Sequence, residues 1–235
     1  MQRNIGRKAT TNGETDGIND HASQPLELDA CIVGGGFAGV YLLHRLRQEG
    51  YDTKIIEAAT GLGGIWHWNS YPGARVDSQY PVYALSIPEV YNTWTWSQQY
   101  PGEKELKRYF QHVDNVLNIS KDTLYEHRVL SARFEASEDK WHIECENGVK
   151  ITARFFLCCL GFAAKRHFPD WSGLDNFKGY MCHSSFWPAE GVDMKGKRVA
   201  VVGSGATGIQ IAQESAKQAS HLTCFIRTPN HCIPM

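Results

Sequence analysis

The sequence predicts an α/β fold with two βαβ units, and two observations lead to that prediction. A glycine-rich segment of the form G-x-G-x-x-G occurs twice, at residues 34–39 and at residues 203–208. Each copy directly follows a short apolar run typical of a buried parallel strand, and precedes a stretch with helical spacing. We therefore expect two Rossmann-like, dinucleotide-binding domains, the second of them incomplete because the chain ends soon after its second strand.

The composition excludes several classes of protein. A formal net charge of −1 over 235 residues, without a basic block, gives no indication of nucleic-acid binding. The sequence has no apolar run long enough to cross a membrane, and the polar residues 1–25 lack an apolar signal region, so we expect a disordered tail. Seven cysteines without a C-x-x-C pair favour reduced thiols, with Cys31, Cys158 and Cys159 buried, over disulfides or a metal site. The expected location is cytoplasmic.

The first βαβ unit is predicted from a strand at residues 28–33, a helix at residues 40–49 and a strand at residues 53–56. In a G-x-G-x-x-G turn, the first glycine allows the tight turn, the second lets a pyrophosphate approach, and the third permits close helix packing. The phosphates then lie at the helix N-terminus. Glu57 follows at the distance, about 20 residues, of an acid that binds ribose hydroxyls. The predicted nucleotide-binding residues are Gly34, Gly36, Phe37, Ala38, Gly39 and Glu57.

The alternative for this unit is a glycine-rich turn in a fold that binds no nucleotide. It is disfavoured because strand, helix and acid are all in place. The next segment, residues 61–77, combines glycines, clustered aromatic residues and a Pro-Gly turn. Such a loop suits a flat ring system, but an aromatic core loop is an equally good interpretation of this segment alone.

The middle of the chain predicts a helix followed by an antiparallel meander. The helix spans residues 101–117, and its apolar face consists of Leu106, Tyr109, Phe110, Val113 and Val116. Trp94 and Trp96 are interpreted as core residues. Strands are predicted at residues 129–134, 140–146 and 149–159, with turns at residues 137–139 and at Asn147-Gly148. The last of these strands is expected to be buried.

The second βαβ unit has strands at residues 197–202 and 222–226, with a helix between them that extends to about residue 219. Arg227 stands where the first unit has Glu57. An acid suits a ribose 2′-hydroxyl, whereas an arginine suits a 2′-phosphate, which it binds in a charged fork. We therefore assign the first loop to FAD and the second to NADPH. The predicted NADPH-binding residues are Gly203, Ser204, Gly205, Ala206, Thr207, Gly208, Arg227 and Thr228.

Between the two glycine loops lies the pattern F-x-G-x-x-x-H-x-x-x-W-P, formed by Phe177, Gly179, His183, Trp187 and Pro188. It resembles the fingerprint of Baeyer–Villiger monooxygenases, flavoenzymes that use NADPH and O2 to insert one oxygen atom beside a ketone carbonyl, through a flavin peroxide. Residues 61–77 likewise resemble that family's segment G-G-x-W-x-x-N-x-Y-P-G-x-x-x-D, with every fixed position matched. The resemblance covers nearly all of residues 26–235.

This resemblance implies a two-nucleotide flavoprotein with an FAD-binding domain at residues 26–165, a linker at residues 166–194 and the start of an NADPH-binding domain at residues 195–235. Asp77 is implied to be the active-site carboxylate. His183 is implied to couple NADPH binding to flavin chemistry without transferring the proton, and Phe177, Gly179 and Trp187 are implied to pack in the same linker. Further implied flavin contacts are Gly64, Ile65, Trp66, Asn69, Arg75, Val76, Asp77, Tyr83 and Val129.

In the family, the partner of the active-site carboxylate is an arginine from downstream sequence, and no arginine or lysine of this chain matches its motif. Because family members are more than twice as long, we expect a partner chain or a missing C-terminal half. The expected reactants are a small-molecule ketone and O2. Two alternatives stay open: a truncated homologue without catalytic activity, and a flavin monooxygenase acting on nitrogen or sulfur. The W-P ending and the Y-P-G-x-x-x-D segment favour the Baeyer–Villiger interpretation over the latter.

Overall fold

A computed structural model describes residues 24–163 and 165–232. The predicted disordered tail lies outside the described residues, apart from residues 24 and 25. One six-stranded sheet and one two-stranded sheet, each with helices, confirm the predicted α/β class. No helix in the described residues has both the length and the apolar character needed to cross a membrane.

The first predicted βαβ unit is present as β1 (Leu26–Val33), α1 (Phe37–Gln48) and β2 (Thr53–Ile56). β1 and β2 are parallel neighbours. The second half of β1 is fully enclosed, which agrees with its continuous apolar run, since a parallel strand covered on both faces needs no polar side. α1 begins three residues earlier than predicted, directly at the residue after Gly36.

Two short helices, α2 (Ile65–Trp68) and α3 (Pro88–Tyr91), precede the long helix α4 (Glu103–Leu117). The apolar face of α4 is buried as predicted, except that Val116 is 37% exposed, so its assignment to that face was wrong. Ten residues after Leu106, Val116 is rotated by roughly 80° about the helix axis, at the margin of the apolar stripe. Trp94 and Trp96 pack against the core around this helix, as predicted.

The remaining strands of the large sheet are β3 (Thr123–Leu124), β4 (Val129–Glu135), β5 (Lys140–Cys145) and β6 (Lys150–Cys158). The strand order is β3-β2-β1-β6-β5-β4. β6 is parallel to β1, and β4, β5 and β6 form an antiparallel meander whose two turns lie where the sequence predicts them. The short strand β3 was not predicted.

The prediction that the last strand of the meander is buried was only half right. Residues 151–153 of β6 are buried, but Phe155 is 40% exposed and Cys158 is exposed. β5 pairs with residues 150–153 alone, so the second half of β6 has β1 as its only strand neighbour in the described chain. The expected burial of Cys158 is therefore wrong, whereas Cys31 is buried and Cys159 is partly buried.

The second unit consists of β7 (Arg198–Val202), α5 (Ala206–Ser215) and β8 (His221–Phe225), and its two strands are parallel. α5 ends four residues earlier than predicted, because residues 216–220 form a turn in which the Ser220 N–H donates to the Lys197 carbonyl. The two glycine loops follow β1 and β7, at the carboxyl ends of parallel strands, where ligands bind in open α/β sheets. α5 packs against residues 71–75 of the first unit.

Candidate functional site

The two glycine loops share one backbone geometry. The first glycine has a positive φ in both, 110° at Gly34 and 104° at Gly203, a conformation that favours glycine. A Cβ atom on the third glycine would lie 1.9 Å from the carbonyl oxygen of the first glycine at Gly39, and 2.3 Å at Gly208. Both positions therefore need glycine for the helix to pack against the turn, which is the role expected in a dinucleotide-binding loop.

The middle glycine of each loop is different, because a Cβ atom there would meet no forbidding contact. A Cβ atom on Gly36 would meet only Gly64, at 3.7 Å from its Cα, and one on Gly205 would meet no atom within 4 Å. Both residues are the N-caps of their helices and lack a side-chain cap, so N–H groups of the first turn stay available. The space and donors suit the phosphates of a dinucleotide.

Glu57 lies directly behind the first loop. Its carboxylate is 6% exposed and accepts hydrogen bonds from the backbone N–H groups of Gly35 and Ala59. Each carboxylate oxygen has a second lone pair, so the group still has acceptor capacity for ribose hydroxyls. His127 donates its backbone N–H to the Glu57 carbonyl and lies two residues before Val129, which brings this further implied flavin contact close to the same acid.

The segment of residues 61–77 lies alongside the first loop, with the Gly63 N–H donating to the Gly35 carbonyl at 2.9 Å. Tyr83, beyond this segment, joins it to α1: its ring lies 6.0 Å from the ring of Phe37 in α1 and 6.0 Å from the ring of Trp66 in the segment. Ile65 packs on the same core, and Asn69 ends α2 by donating its N–H to the Ile65 carbonyl. The structure thus brings both predicted flavin segments together around an aromatic cluster.

Asp77 follows the buried Val76 and is itself exposed. Burial raises the pKa of the phenols of Tyr71 and Tyr83, and the negative charge of Asp77 also raises both. Among residues 24–163 and 165–232, no lysine or arginine forms an ion pair with Asp77. The neighbouring Arg75 instead pairs with Glu214 at 3.6 Å.

The second loop is joined to the residues that follow β8. Ser204 donates its hydroxyl to the Thr228 carbonyl at 2.8 Å, and the Gly203 N–H donates to the Phe225 carbonyl at 2.9 Å. Arg227, between these acceptors, is exposed. The chain at Arg227 therefore lies next to the second glycine loop, as the predicted 2′-phosphate contact requires.

His183 is held by two residues that the sequence interpretation did not select. Its Nδ1 accepts a hydrogen bond from the Ser185 N–H and lies 2.7 Å from the Ser185 hydroxyl, while Arg166 contacts that hydroxyl at 3.2 Å. Burial lowers the pKa of His183, and the positive charge of Arg166 lowers it further. The ring is thus neutral with its proton on Nε2. The H-x-S spacing was the available sequence signal for Ser185.

The other fingerprint residues differ in their surroundings. Trp187 packs against a small apolar cluster between the two units. Phe177 is 54% exposed, and its ring contacts Gly179, where a Cβ atom would lie 2.7 Å from it. Trp187 thus packs against core residues of both units, whereas the ring of Phe177 packs against its sequence neighbour Gly179.

Two open surface cavities lie outside this arrangement. One, of about 570 Å³, is lined by charged residues around Glu27 and Lys140, at the start of β1 and therefore at the end opposite the glycine loop. The other, of about 500 Å³, lies between aromatic residues from Tyr80 to Tyr109. Within the described residues no cluster of histidine, cysteine, aspartate or glutamate is placed to hold a metal ion.

Comparisons with known proteins agree with these motifs. A family model for pyridine nucleotide-disulphide oxidoreductases matches residues 28–235. The FAD-binding monooxygenase acrE of Aspergillus aculeatus is 46% identical over 235 residues, which are 100% of this chain and 39% of that relative. The cyclopentanone 1,2-monooxygenase of a Comamonas species is 41% identical over 223 residues, 95% of this chain and 40% of that relative.

A nitrogen-oxygenating relative also matches: the phenazine N-monooxygenase PhzNO1 of Lysobacter antibioticus is 38% identical over 208 residues, 88% of this chain and 38% of that relative. The solved structure of an oxidized steroid monooxygenase bound to NADP has a TM-score of 0.83 and 38% identity, over 88% of this chain and 40% of that one. The chain thus spans about two fifths of the length of these proteins. It belongs to the pyridine nucleotide-disulphide oxidoreductase family, and its resemblance to the Baeyer–Villiger monooxygenases is confirmed.

Proposed function

We propose that this chain forms the FAD- and NADPH-binding part of a flavin monooxygenase that inserts one oxygen atom of O2 beside a ketone carbonyl. The observation that carries this proposal is the pair of glycine loops with one geometry, of which the first is followed by Glu57 and the second by Arg227. A ribose 2′-hydroxyl suits the acid and a 2′-phosphate suits the arginine, which separates the sites for the two cofactors.

The first loop fits FAD. The uncapped N–H groups at the start of α1 suit phosphates, and the carboxylate of Glu57 retains acceptor capacity for ribose hydroxyls. The aromatic cluster of Phe37, Trp66 and Tyr83 gives the ring end of the cofactor an apolar surface that excludes water.

The second loop fits NADPH, because the space beside Gly205 is open and Arg227 stands at its edge. When bound, the two cofactors supply hydride transfer and the oxidation chemistry, while the protein binds, orients and excludes water. The seven free cysteines support a reducing, cytoplasmic compartment as part of this proposal.

Asp77 is the proposed active-site carboxylate. Its exposure, together with the effect of its charge in raising the pKa of the Tyr83 phenol, supports a negative charge near the surface assigned to the flavin ring. A carboxylate there orients a cation, and a cation held near the reacting oxygen atoms stabilises negative charge that develops on them. His183, neutral with its proton on Nε2, contributes an oriented donor in the linker and no charge.

A second candidate, oxygenation of a nitrogen atom, is favoured by one observation, the match to a relative named for phenazine N-oxygenation.

The test uses the purified 235-residue chain with FAD. Flavin reduction by NADPH is recorded without oxygen, and isotopically heavy O2 is then admitted with cyclopentanone or phenazine. We expect reduction of the bound flavin by NADPH, and a lactone carrying one heavy oxygen atom would show that these residues also suffice for oxygenation.

A phenazine N-oxide without any lactone would favour the second candidate. Flavin reduction without either product would refute oxygenation by these residues alone. Absence of flavin binding would refute the assignment of the first loop.

A further inference from the structure

The contact between the two nucleotide units centres on one buried side chain, Gln210 of α5, which is 8% exposed. Its Nε2 donates to the Arg75 carbonyl at 2.9 Å, and its Oε1 accepts from the Arg75 N–H at 3.2 Å. The side-chain amide thus pairs with both backbone groups of Arg75, as a neighbouring β-strand would. The Tyr71 hydroxyl donates to the same Oε1 at 3.1 Å, so the amide makes three hydrogen bonds across this contact.

The backbone of the first unit is shaped for this approach. Gly73 has a φ of 76°, and a Cβ atom there would lie 2.8 Å from Cγ of Glu214 and 3.1 Å from the Gln210 carbonyl oxygen. Any other residue at position 73 would push α5 away. Around this contact, Tyr71, Ala74, Val201 and Ile211 form an apolar cluster, which excludes water from the hydrogen bonds of Gln210.

The contact also reaches the second glycine loop. Thr207 in that loop donates its hydroxyl to Tyr71 at 3.3 Å, and Tyr71 donates in turn to Gln210. Asp77 lies two residues beyond Arg75 on the segment that Gln210 holds. A single side chain therefore connects the loop assigned to NADPH with the segment that carries the proposed active-site carboxylate.

We propose that Gln210 is a positioning residue that locks the second glycine loop onto residues 71–75 and thereby sets the placement of NADPH relative to the FAD site. The role of Gln210 rests on the proposed function. It requires that loss of the side-chain amide weakens NADPH binding far more than FAD binding, because Gln210 lies on the helix of the second loop and reaches the implied FAD contacts only through the backbone of Arg75. A residue that merely fills the core would affect both cofactors and the stability of the whole chain.

Three variants test this role. Gln210→Met keeps the length of the side chain and removes all three hydrogen bonds. Gln213→Met is the matched control, since Gln213 is exposed on the same helix. Gln210→Glu is a titratable variant, because a protonated carboxyl group both donates and accepts like the amide, whereas a carboxylate accepts only. Burial raises the pKa of such a carboxyl group and brings its protonation into an accessible pH range.

Two measurements are made on the 235-residue chain. Hydrogen–deuterium exchange without nucleotide gives the protection factor of the Arg75 amide, and flavin reduction in the FAD-loaded chain gives the NADPH concentration at half-maximal rate. For Gln210→Met we expect a protection factor about tenfold lower and a half-maximal NADPH concentration about tenfold higher. FAD affinity stays within about twofold of the unsubstituted chain, and Gln213→Met changes none of these quantities. Gln210→Glu regains protection as the pH is lowered.

The outcomes distinguish failure of the positioning role of Gln210 from failure of the proposed function. Unchanged Arg75 protection in Gln210→Met, or an equal loss of FAD and NADPH affinity, overturns the positioning role while the proposed function stands. Failure of the unsubstituted chain to bind FAD or to be reduced by NADPH overturns both.

Discussion

Replacement of Gly36 by alanine separates nucleotide binding from folding. The backbone at Gly36 is extended, with φ −83° and ψ −168°, so alanine adopts it without strain. The new methyl group would make only ordinary contact, at 3.7 Å from Cα of Gly64. Alanine is a poorer N-cap than glycine, but an alanine chain has less conformational entropy to lose on folding, which offsets part of that loss, so we expect a change of less than about 1 kcal/mol in unfolding free energy.

Binding of FAD should respond much more strongly, because the methyl group occupies the space assigned to the phosphates. If the phosphates lose one charge-assisted hydrogen bond, the cost is about 1.5–3 kcal/mol, or roughly a 10- to 150-fold weaker FAD affinity. Titration of FAD, followed by flavin fluorescence or absorbance, measures this effect, and chemical denaturation measures stability.

Two matched variants complete this test. Gly205→Ala places a methyl group in the open space of the second loop, so we expect weaker NADPH binding with FAD affinity unchanged. Gly39→Ala places its methyl group 1.9 Å from the carbonyl oxygen of Gly34, so we expect loss of folding rather than selective loss of FAD. A Gly36→Ala chain that binds FAD normally would refute the placement of the phosphates.

Four other predictions concern charged and titratable residues. Arg227→Ala should weaken NADPH binding by roughly 10- to 100-fold and change NADH binding little, because only NADPH carries the 2′-phosphate. Titration of each nucleotide into the FAD-loaded chain measures both affinities. An equal loss of affinity for NADPH and NADH would contradict the assignment of Arg227 to the 2′-phosphate. Asp77→Asn should keep FAD affinity within about twofold and abolish the oxygenated product. It should also lower the pKa of the Tyr83 phenol, because the substitution removes a negative charge that raises it; ultraviolet titration measures this pKa. His183 has a pKa below the ordinary 6.5 in the folded chain. Between pH 6.5 and that lower value, the unfolded chain therefore binds more protons at this residue than the folded chain does. The free energy of unfolding should accordingly decrease as the pH falls through this range. Arg166→Ala should raise the His183 pKa, measured by NMR titration, and an unchanged value would contradict the electrostatic effect of Arg166 on His183.

Much of the fold follows from local sequence signals. The G-x-G-x-x-G turns are determined by glycine conformation and by helix packing that excludes a Cβ atom, so the positions of both loops could be predicted from the sequence. The Asn147-Gly148 turn likewise requires a positive φ at Gly148, which is 83°. The predicted ends of strands and helices differ from the observed ends by a few residues. The end of an element depends on the elements that pack beside it in the fold rather than on the terminal residue itself.

The features that the sequence did not reveal depend on distant contacts. Cys158 and Phe155 lie in an apolar run, but the β5 hairpin covers only the first half of β6 and leaves them exposed. Arg166, Ser185 and Gln210 were not selected, because their significance lies in partners that only the folded chain brings within hydrogen-bond distance. A buried glutamine in a helix carries no periodic signal that distinguishes it from a solvated one.

The most direct test of the account is the nucleotide preference of the two loops in the unsubstituted chain. FAD is titrated into the purified protein, and the bound flavin is then exposed without oxygen to NADPH or to NADH. We predict that FAD binds, and that NADPH bleaches the flavin absorbance at far lower concentration than NADH, because Arg227 stands at the second loop and Glu57 at the first. A chain that binds no FAD, or one whose flavin is reduced equally well by both nucleotides, would contradict the assignment of the loops.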